Sequence, residues 1–300
     1  MWLYLGVFSA VFLGLYDISR KHALNGNAVL PVLFFATLTE ALLLLPVALL
    51  SPLSPEFMTR LGLFIPHFSL VAHLLFFLKA ILVASIWMLT CFSIKHLPIS
   101  IYSPIGASAP AWTLIGAMLL FGERLTIMQW VAFGVLFVSY YIFSIIGSRE
   151  GIVFHTNKWV IFLCLAVLLS AASALSDKYF VRTLGYTAIG VQVWFVLYMV
   201  PVLGVAILAF WRPNRARYTP FEWRWTIPLI GLLLTIADIA YFKAIACDGM
   251  LISLLAAVRS SGAVVAFLAG ALFWGEVRIL QKSVALAGVL IGVFLLFLAH

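Results

Sequence analysis

The feature that most limits this chain is a succession of unbroken apolar runs, each long enough to cross a bilayer's hydrocarbon core. That core is about 30 Å thick and a helix rises about 1.5 Å per residue, so a spanning helix needs about 20 apolar residues. The runs and their polar interruptions predict ten helices, at 2–19, 29–50, 75–94, 99–121, 127–146, 158–178, 187–210, 225–247, 250–273 and 281–299. The apolar stretches are continuous and not alternating, which argues against a lipid-facing barrel. Only 9% of the residues are charged, against about 25% in soluble domains. Such a chain cannot solvate a globular surface, and its expected fold class is an all-α integral membrane protein with the lipid bilayer as partner.

The formal charge of +8 does not point to nucleic acid. The basic residues stand between apolar runs, where they orient membrane proteins, and form no amphipathic patch. Cys91, Cys164 and Cys247 lie in apolar segments without metal-ligand spacing and read as small core residues. Met1 to Ile18 lacks a basic leader and a small-residue cleavage site, so it reads as a retained helix. Segment 54–74, with Pro55, Pro66, His67 and His73, reads as irregular chain near the interface.

The sequence repeats itself. Shifted by 153 residues, LPISIYSPIGASAPAWTLIGAMLLFGE (97–123) lies over MLISLLAAVRSSGAVVAFLAGALFWGE (250–276) without a gap. Ile99/Ile252, Ser100/Ser253, Ser108/Ser261, Leu119/Leu272, Gly122/Gly275 and Glu123/Glu276 coincide. Upstream, LYDISRKHAL (15–24) answers LSDKYFVRTL (175–184), which relates Asp17 to Asp177. The chain therefore divides into residues 1–150 and 151–300, two five-helix units. An odd number of spans sends the second unit into the membrane from the opposite side, so the expected architecture is ten transmembrane helices as two inverted repeats. That plan recurs in secondary transporters, whose binding sites lie near the midplane between the copies. Most loop lysines and arginines follow odd-numbered helices, which puts those loops in the cytoplasm and both termini outside.

Two stretches carry a family likeness: SIKHLPISIYSP with FGERL within 93–125, and AIACDGMLIS, VRSSGAVVAF and FWGE within 244–276. In both, a third helix ends near a Pro or Gly turn and a fourth closes with Gly-Glu. The chain resembles the ten-helix EamA-type members of the drug/metabolite transporter superfamily over essentially its whole length. The resemblance implies a plasma (inner) membrane carrier of small metabolites. Pro104 and Pro110 face Ala257 and Ala263 in the second copy, so the halves are expected to bend differently.

A charge at mid-helix costs about 2.5–3.5 kcal/mol or more in hydrocarbon, so each one marks a functional candidate. Arg259 stays charged when buried and needs an anion: Glu40, Asp238 or a substrate carboxylate or phosphate. Substrate contact competes here with a helix-clamping ion pair. Small residues at Gly262, Ala263, Ala266 and Gly270, matched by Gly106, Ala109, Pro110, Thr113 and Ala117, permit close helix packing or leave room for a cavity. Lys243 with Arg259 suggests an anionic group on the substrate, such as an amino-acid carboxylate. Glu40 and Asp238 are the proton-coupling candidates, since environment tunes a buried carboxyl's proton affinity; packing roles are the competing reading. Trp87, Trp194, Tyr198 and Tyr241 read as an aromatic substrate wall or as packing and interface residues. Asp17, three and four residues before Arg20 and Lys21, reads as a structural ion pair. Glu123 and Glu276 read as helix anchors or caps.

The leading expectation is a secondary transporter moving a small metabolite by alternating access, in exchange for protons, with no cofactor and no metal. One chain holds both halves, so a monomer suffices. No GxxxxGK[ST] motif suggests ATP hydrolysis. A lipid-phosphate flippase of the same fold is the alternative. An intramembrane enzyme would need convergent catalytic groups, and the chain carries neither HExxH nor GxSxG.

Overall fold

In hydrocarbon each backbone N–H and C=O must find its partner within the protein, so continuous apolar runs become helices. The computed structural model describes residues 1–97, 105–106, 108–146, 158–214, 219–262, 264–265 and 279–298. Among these no strand occurs. The helices are α1 (Trp2–Leu24), α2 (Val29–Leu53), α3 (Pro55–Arg60), α4 (Leu70–His96), α5 (Ala109–Phe121) and α6 (Ile127–Ile146). They continue with α7 (Lys158–Lys178), α8 (Ala188–Ala206), α9 (Thr226–Ala246), α10 (Ile252–Ser260) and α11 (Ile279–Leu298). π-helical turns prolong α7 over Tyr179–Thr183 and α8 over Ile207–Trp211. Among the described residues, six helices are long and apolar enough to cross a bilayer: α1, α2, α4, and α7, α8 and α9.

Two expectations need correction here. Segment 54–74 is not wholly irregular, because Pro55, placed at the first helical position, starts the short α3. Ser69 then caps α4, its Oγ accepting from Ala72 N at 3.3 Å, so that helix begins at Leu70 and not at 75. The earlier start draws Lys79 into the body of the helix. The expected second copy of the Gly-Glu ending, Gly275 and Glu276, lies outside the described residues, as do Ser100, Pro104, Ala263, Ala266 and Gly270.

Side-chain contacts fix the helix directions. Ser9 meets Ala237 and His22 meets Thr226, so α1 and α9 run antiparallel. Lys79 meets Ser173 and Ser93 meets Trp159, which makes α4 and α7 antiparallel too. α10 runs parallel to α1, with Gly6 against Leu255 and Val258 and Gly14 against Gly262 and Val265. Gly116 packs on Leu175, and α5 is parallel to α7. The near face, where α1 begins, thus collects the ends of α5, α7 and α9 and the start of α10. The far face collects the end of α1 and the start of α9.

A clasp holds the far face. Asn27 Nδ2 donates to Glu222 O at 2.7 Å, and Glu222 N donates back to Asn27 Oδ1 at 2.9 Å. Arg224 donates to His22 O at 2.8 Å and Asn25 O at 2.7 Å. A cation there satisfies the orphan carbonyls at the end of α1 and the negative end of its dipole.

Candidate functional site

Close helix approach builds the site. A Cβ on Gly14 would stand 2.5 Å from Gly262 O, and one on Gly262 would stand 2.5 Å from Ala10 O. Neither helix tolerates a side chain at that crossing, so α1 and α10 pack backbone to backbone. Gly231 plays the same part where α9 crosses α2, with Thr39 and the Glu40 amide against it. These crossings gather Ser9 of α1, Glu40 of α2, Asp238 of α9 and Arg259 of α10.

Arg259 is held on three sides. Its guanidinium pairs with Asp238, its Nε donates to Ser9 Oγ at 3.1 Å, and it stacks over the Tyr241 ring at 4.1 Å. Ser9 Oγ passes the bond on to Ala237 O at 2.8 Å. A planar guanidinium suits this arrangement, since it offers forked donors at its edge and a flat face to an aromatic ring.

A second pair lies beside it. Lys79 Nζ of α4 stands 2.6 Å from Asp177 Oδ1 of α7, with the two side chains 2% and 6% exposed. Lys79 also donates to Ser173 Oγ at 3.1 Å and faces the Phe195 ring at 5.1 Å. Tyr241 joins the two pairs: its hydroxyl donates to Asp177 Oδ2 at 3.2 Å while its ring carries Arg259. Lys79, Asp177 and Arg259 each have a hydrogen bond beyond the counter-ion, as burial of charge demands.

Glu40 differs. It is 1% exposed, and its Oε1 is buried without a hydrogen-bond partner among the described residues. Glu40, the two ion pairs, Ser173, Phe195 and Tyr241 line one cavity of about 340 Å³ among α1, α2, α4, α7, α8, α9 and α10. Arg20 and Thr90, toward the far-face ends of α1 and α4, line it as well. Arg20 is paired with Asp17 at 2.9 Å, the structural pair expected from their spacing.

Toward the near face the helices are tied together. Glu123, beyond the last turn of α5, accepts from Ile252 N at 2.8 Å, Ser253 N at 3.4 Å and Ser253 Oγ at 2.6 Å. It therefore caps α10, a helix of the other half, and Lys178 Nζ of α7 pairs with it at 2.6 Å. Gly122, at φ 62°, makes the left-handed turn that aims Glu123 across. Arg182 adds a bond to Asp248 at 3.1 Å on the same face.

The structure brings together five of the eight residues singled out from sequence: Arg259, Asp238, Glu40, Trp87 and Tyr241 all line the cavity. Lys243 does not join them. It is exposed on the last turn of α9, five residues and so about 140° around the helix from Asp238. Trp194 and Tyr198 also turn elsewhere, onto His73 of α4: the Trp194 ring lies 4.5 Å from the imidazole and the Tyr198 hydroxyl 3.1 Å from Nδ1. Lys79 is the residue that sequence reasoning missed, and Asp177, read there only as the counterpart of the structural Asp17, is its partner in the cavity. Among the described residues no group of three His, Cys, Asp or Glu side chains is arranged to hold a metal.

Residues 1–145 match the model of the EamA-like transporter family. Over that stretch, just under half of its length, the chain is EamA-like, of the drug/metabolite transporter superfamily. Twenty-seven chains of solved structures also match this EamA-like chain in fold. One of them, titled only as the crystal structure of a protein, aligns over 99% of this chain and 95% of its own, with a TM-score of 0.68 and 14% identity. At that identity the likeness carries the fold alone. No curated protein sequence matches.

Proposed function

We propose that this EamA-like chain moves a small metabolite across the membrane by alternating access, with the charged cavity as its binding site. The observation that carries the reading is the cavity's paired charges, Lys79–Asp177 and Arg259–Asp238, joined through Tyr241. Buried ions are costly in hydrocarbon and mark pathways for polar substrates or protons.

Residues 1–150 and 151–300 act in this reading as two inverted five-helix repeats of a ten-helix carrier. Helix pairing supports it: α1 on α9 is answered by α4 on α7, and α1 on α10 by α7 on α5. Likewise α2 on α9 is answered by α8 on α4. Sites at such repeat interfaces alternate between faces as one half rocks against the other. Breaking the Glu123–Ser253 and Glu123–Lys178 contacts is then the step that opens the near face. Exchange for protons at Glu40 or Asp238, residence in the plasma (inner) membrane and function as a monomer complete the proposal.

Counterflow in proteoliposomes tests it, with a panel of amino acids, amines, nucleosides and organic acids. Saturable uptake by the wild type, lost in Asp177→Asn and Arg259→Ala, is the expected result. A monodisperse, folded protein that moves no compound on the panel overturns the small-metabolite reading.

A further inference from the structure

Charge pairing within the cavity narrows the substrate class. Arg20 is committed to Asp17, Lys79 to Asp177 and Arg259 to Asp238, so these cations already have their anions. Glu40 is the carboxylate left over, and its Oε1 has no donor among the described residues. Its charged neighbours across the cavity are Asp238 of α9 and Arg259 of α10. Lys79 of α4, Asp177 of α7 and Arg20 of α1 line the same space, with Tyr16 and Tyr241 as the titratable hydroxyls. A buried acceptor without a donor is costly, and a buried carboxylate without a counter-ion more so.

We propose that the substrate carries a cationic amine that docks on Glu40 and competes there with a proton. The proposal rests on the carrier reading and adds the substrate's charge to it. The cavity walls fit such a ligand. Tyr16, Phe195 and Tyr241 already face Arg20, Lys79 and Arg259, whereas Trp87 lines the cavity with Glu40 and its ring suits an incoming ammonium group. An anionic substrate meets the reverse situation: to reach Arg259 or Lys79 it must displace an aspartate that then lies buried without its counter-ion. The anionic group suggested by Lys243 and Arg259 in the sequence therefore gives way to a cationic one. Competition at a single carboxyl also supplies exchange: the amine leaves when the proton arrives, and the reverse.

The test is calorimetric titration of the full-length protein in detergent with phenethylamine, and with its near-isosteres 3-phenylpropionate and 2-phenylethanol. Phenethylamine is expected to bind saturably and to release about one proton per bound cation, read from buffers of different ionisation enthalpy. Its affinity is expected to rise by up to about tenfold per pH unit while Glu40 is protonated in the free protein. Glu40→Gln abolishes both binding and proton release, whereas Glu40→Asp keeps the proton release; an unchanged unfolding midpoint shows that each variant is folded. Tighter binding of 3-phenylpropionate, or phenethylamine binding that persists unchanged in Glu40→Gln, overturns the amine proposal and leaves the carrier reading standing. Binding of none of the three probes overturns it as well, and the counterflow panel then decides the carrier reading separately.

Discussion

Lys79 and Asp177 meet 2.6 Å apart across two antiparallel helices, both nearly sealed from solvent, and each has a further bond to a neighbouring hydroxyl. A pair so deeply placed is strong only while it is complete. Removing one partner leaves the other charged and unsatisfied, at a cost of about 3–5 kcal/mol. Lys79→Met or Asp177→Asn alone is therefore expected to lower the unfolding midpoint in detergent sharply. The double variant should recover more than half of the loss, which a double-mutant cycle reads directly. Additive losses would show that the two side chains do not act as a pair.

Glu123 does three jobs at one carboxylate: it caps α10 at Ile252 and Ser253, binds the Ser253 hydroxyl and neutralises Lys178. Glu123→Ala removes the cap, worth about 0.5–2 kcal/mol, and strands Lys178 as well. Ser253→Ala removes one hydrogen bond, worth about 1 kcal/mol. The expected order of destabilisation in detergent unfolding is Glu123→Ala well above Ser253→Ala. Glu123→Gln should fall between them, because an amide still accepts from the backbone but leaves Lys178 without its anion.

The sequence reading reached the helical membrane class through apolar run length, which hydrocarbon makes nearly compulsory. It placed Arg259, Glu40 and Asp238 as buried charges, because each stands inside a predicted membrane span, and named Asp238 among the possible anions for Arg259. It could not see Lys79. Starting that helix at 75 set Lys79 near its end, where a lysine reads as an interfacial charge. The missed signal was the serine cap at Ser69 followed by an apolar run holding Lys79 as its one strong charge. The Lys79–Asp177 pair is a tertiary fact between distant segments, and no local pattern encodes it. Glu123 was expected to serve a helix end, and it does, but the helix belongs to the other half. Trp194 and Tyr198 share a helical face, yet which neighbour that face meets depends on packing, and it meets His73.

Arg259 uses its edge for Asp238 and Ser9 and its face for Tyr241. A lysine keeps the charge but has neither the fork nor the plane, so Arg259→Lys is not conservative here. Loss of a charge-assisted bond costs about 1.5–3 kcal/mol, and counterflow is expected to fall by about tenfold or more in Arg259→Lys. Tyr241→Phe isolates the other half of the junction, because it keeps the ring under Arg259 and deletes only the bond to Asp177. Its counterflow should stay within a few-fold of wild type if the ring is what Arg259 needs. A loss as deep as that of Arg259→Lys would instead assign the effect to the Asp177 bond.

The α1–α10 crossing gives a last prediction about the frame that holds the site. Gly14 and Gly262 approach so closely that an added Cβ on either meets the backbone of the other helix, which cannot swing aside as a side chain can. The helices must separate to admit a methyl group, and overpacking of this kind costs about 1–3 kcal/mol. Gly14→Ala and Gly262→Ala are therefore expected to lower the unfolding midpoint and to weaken counterflow, since separation draws Arg259 away from Ser9. Gly106 belongs to the same class of small residue in the sequence, but no described residue lies within 4 Å of a Cβ built there. Gly106→Ala should leave stability within about 0.5 kcal/mol of wild type. The contrast between Gly14 and Gly106 separates close packing at this crossing from a general need for flexible glycines. Equal losses at both positions would favour the latter.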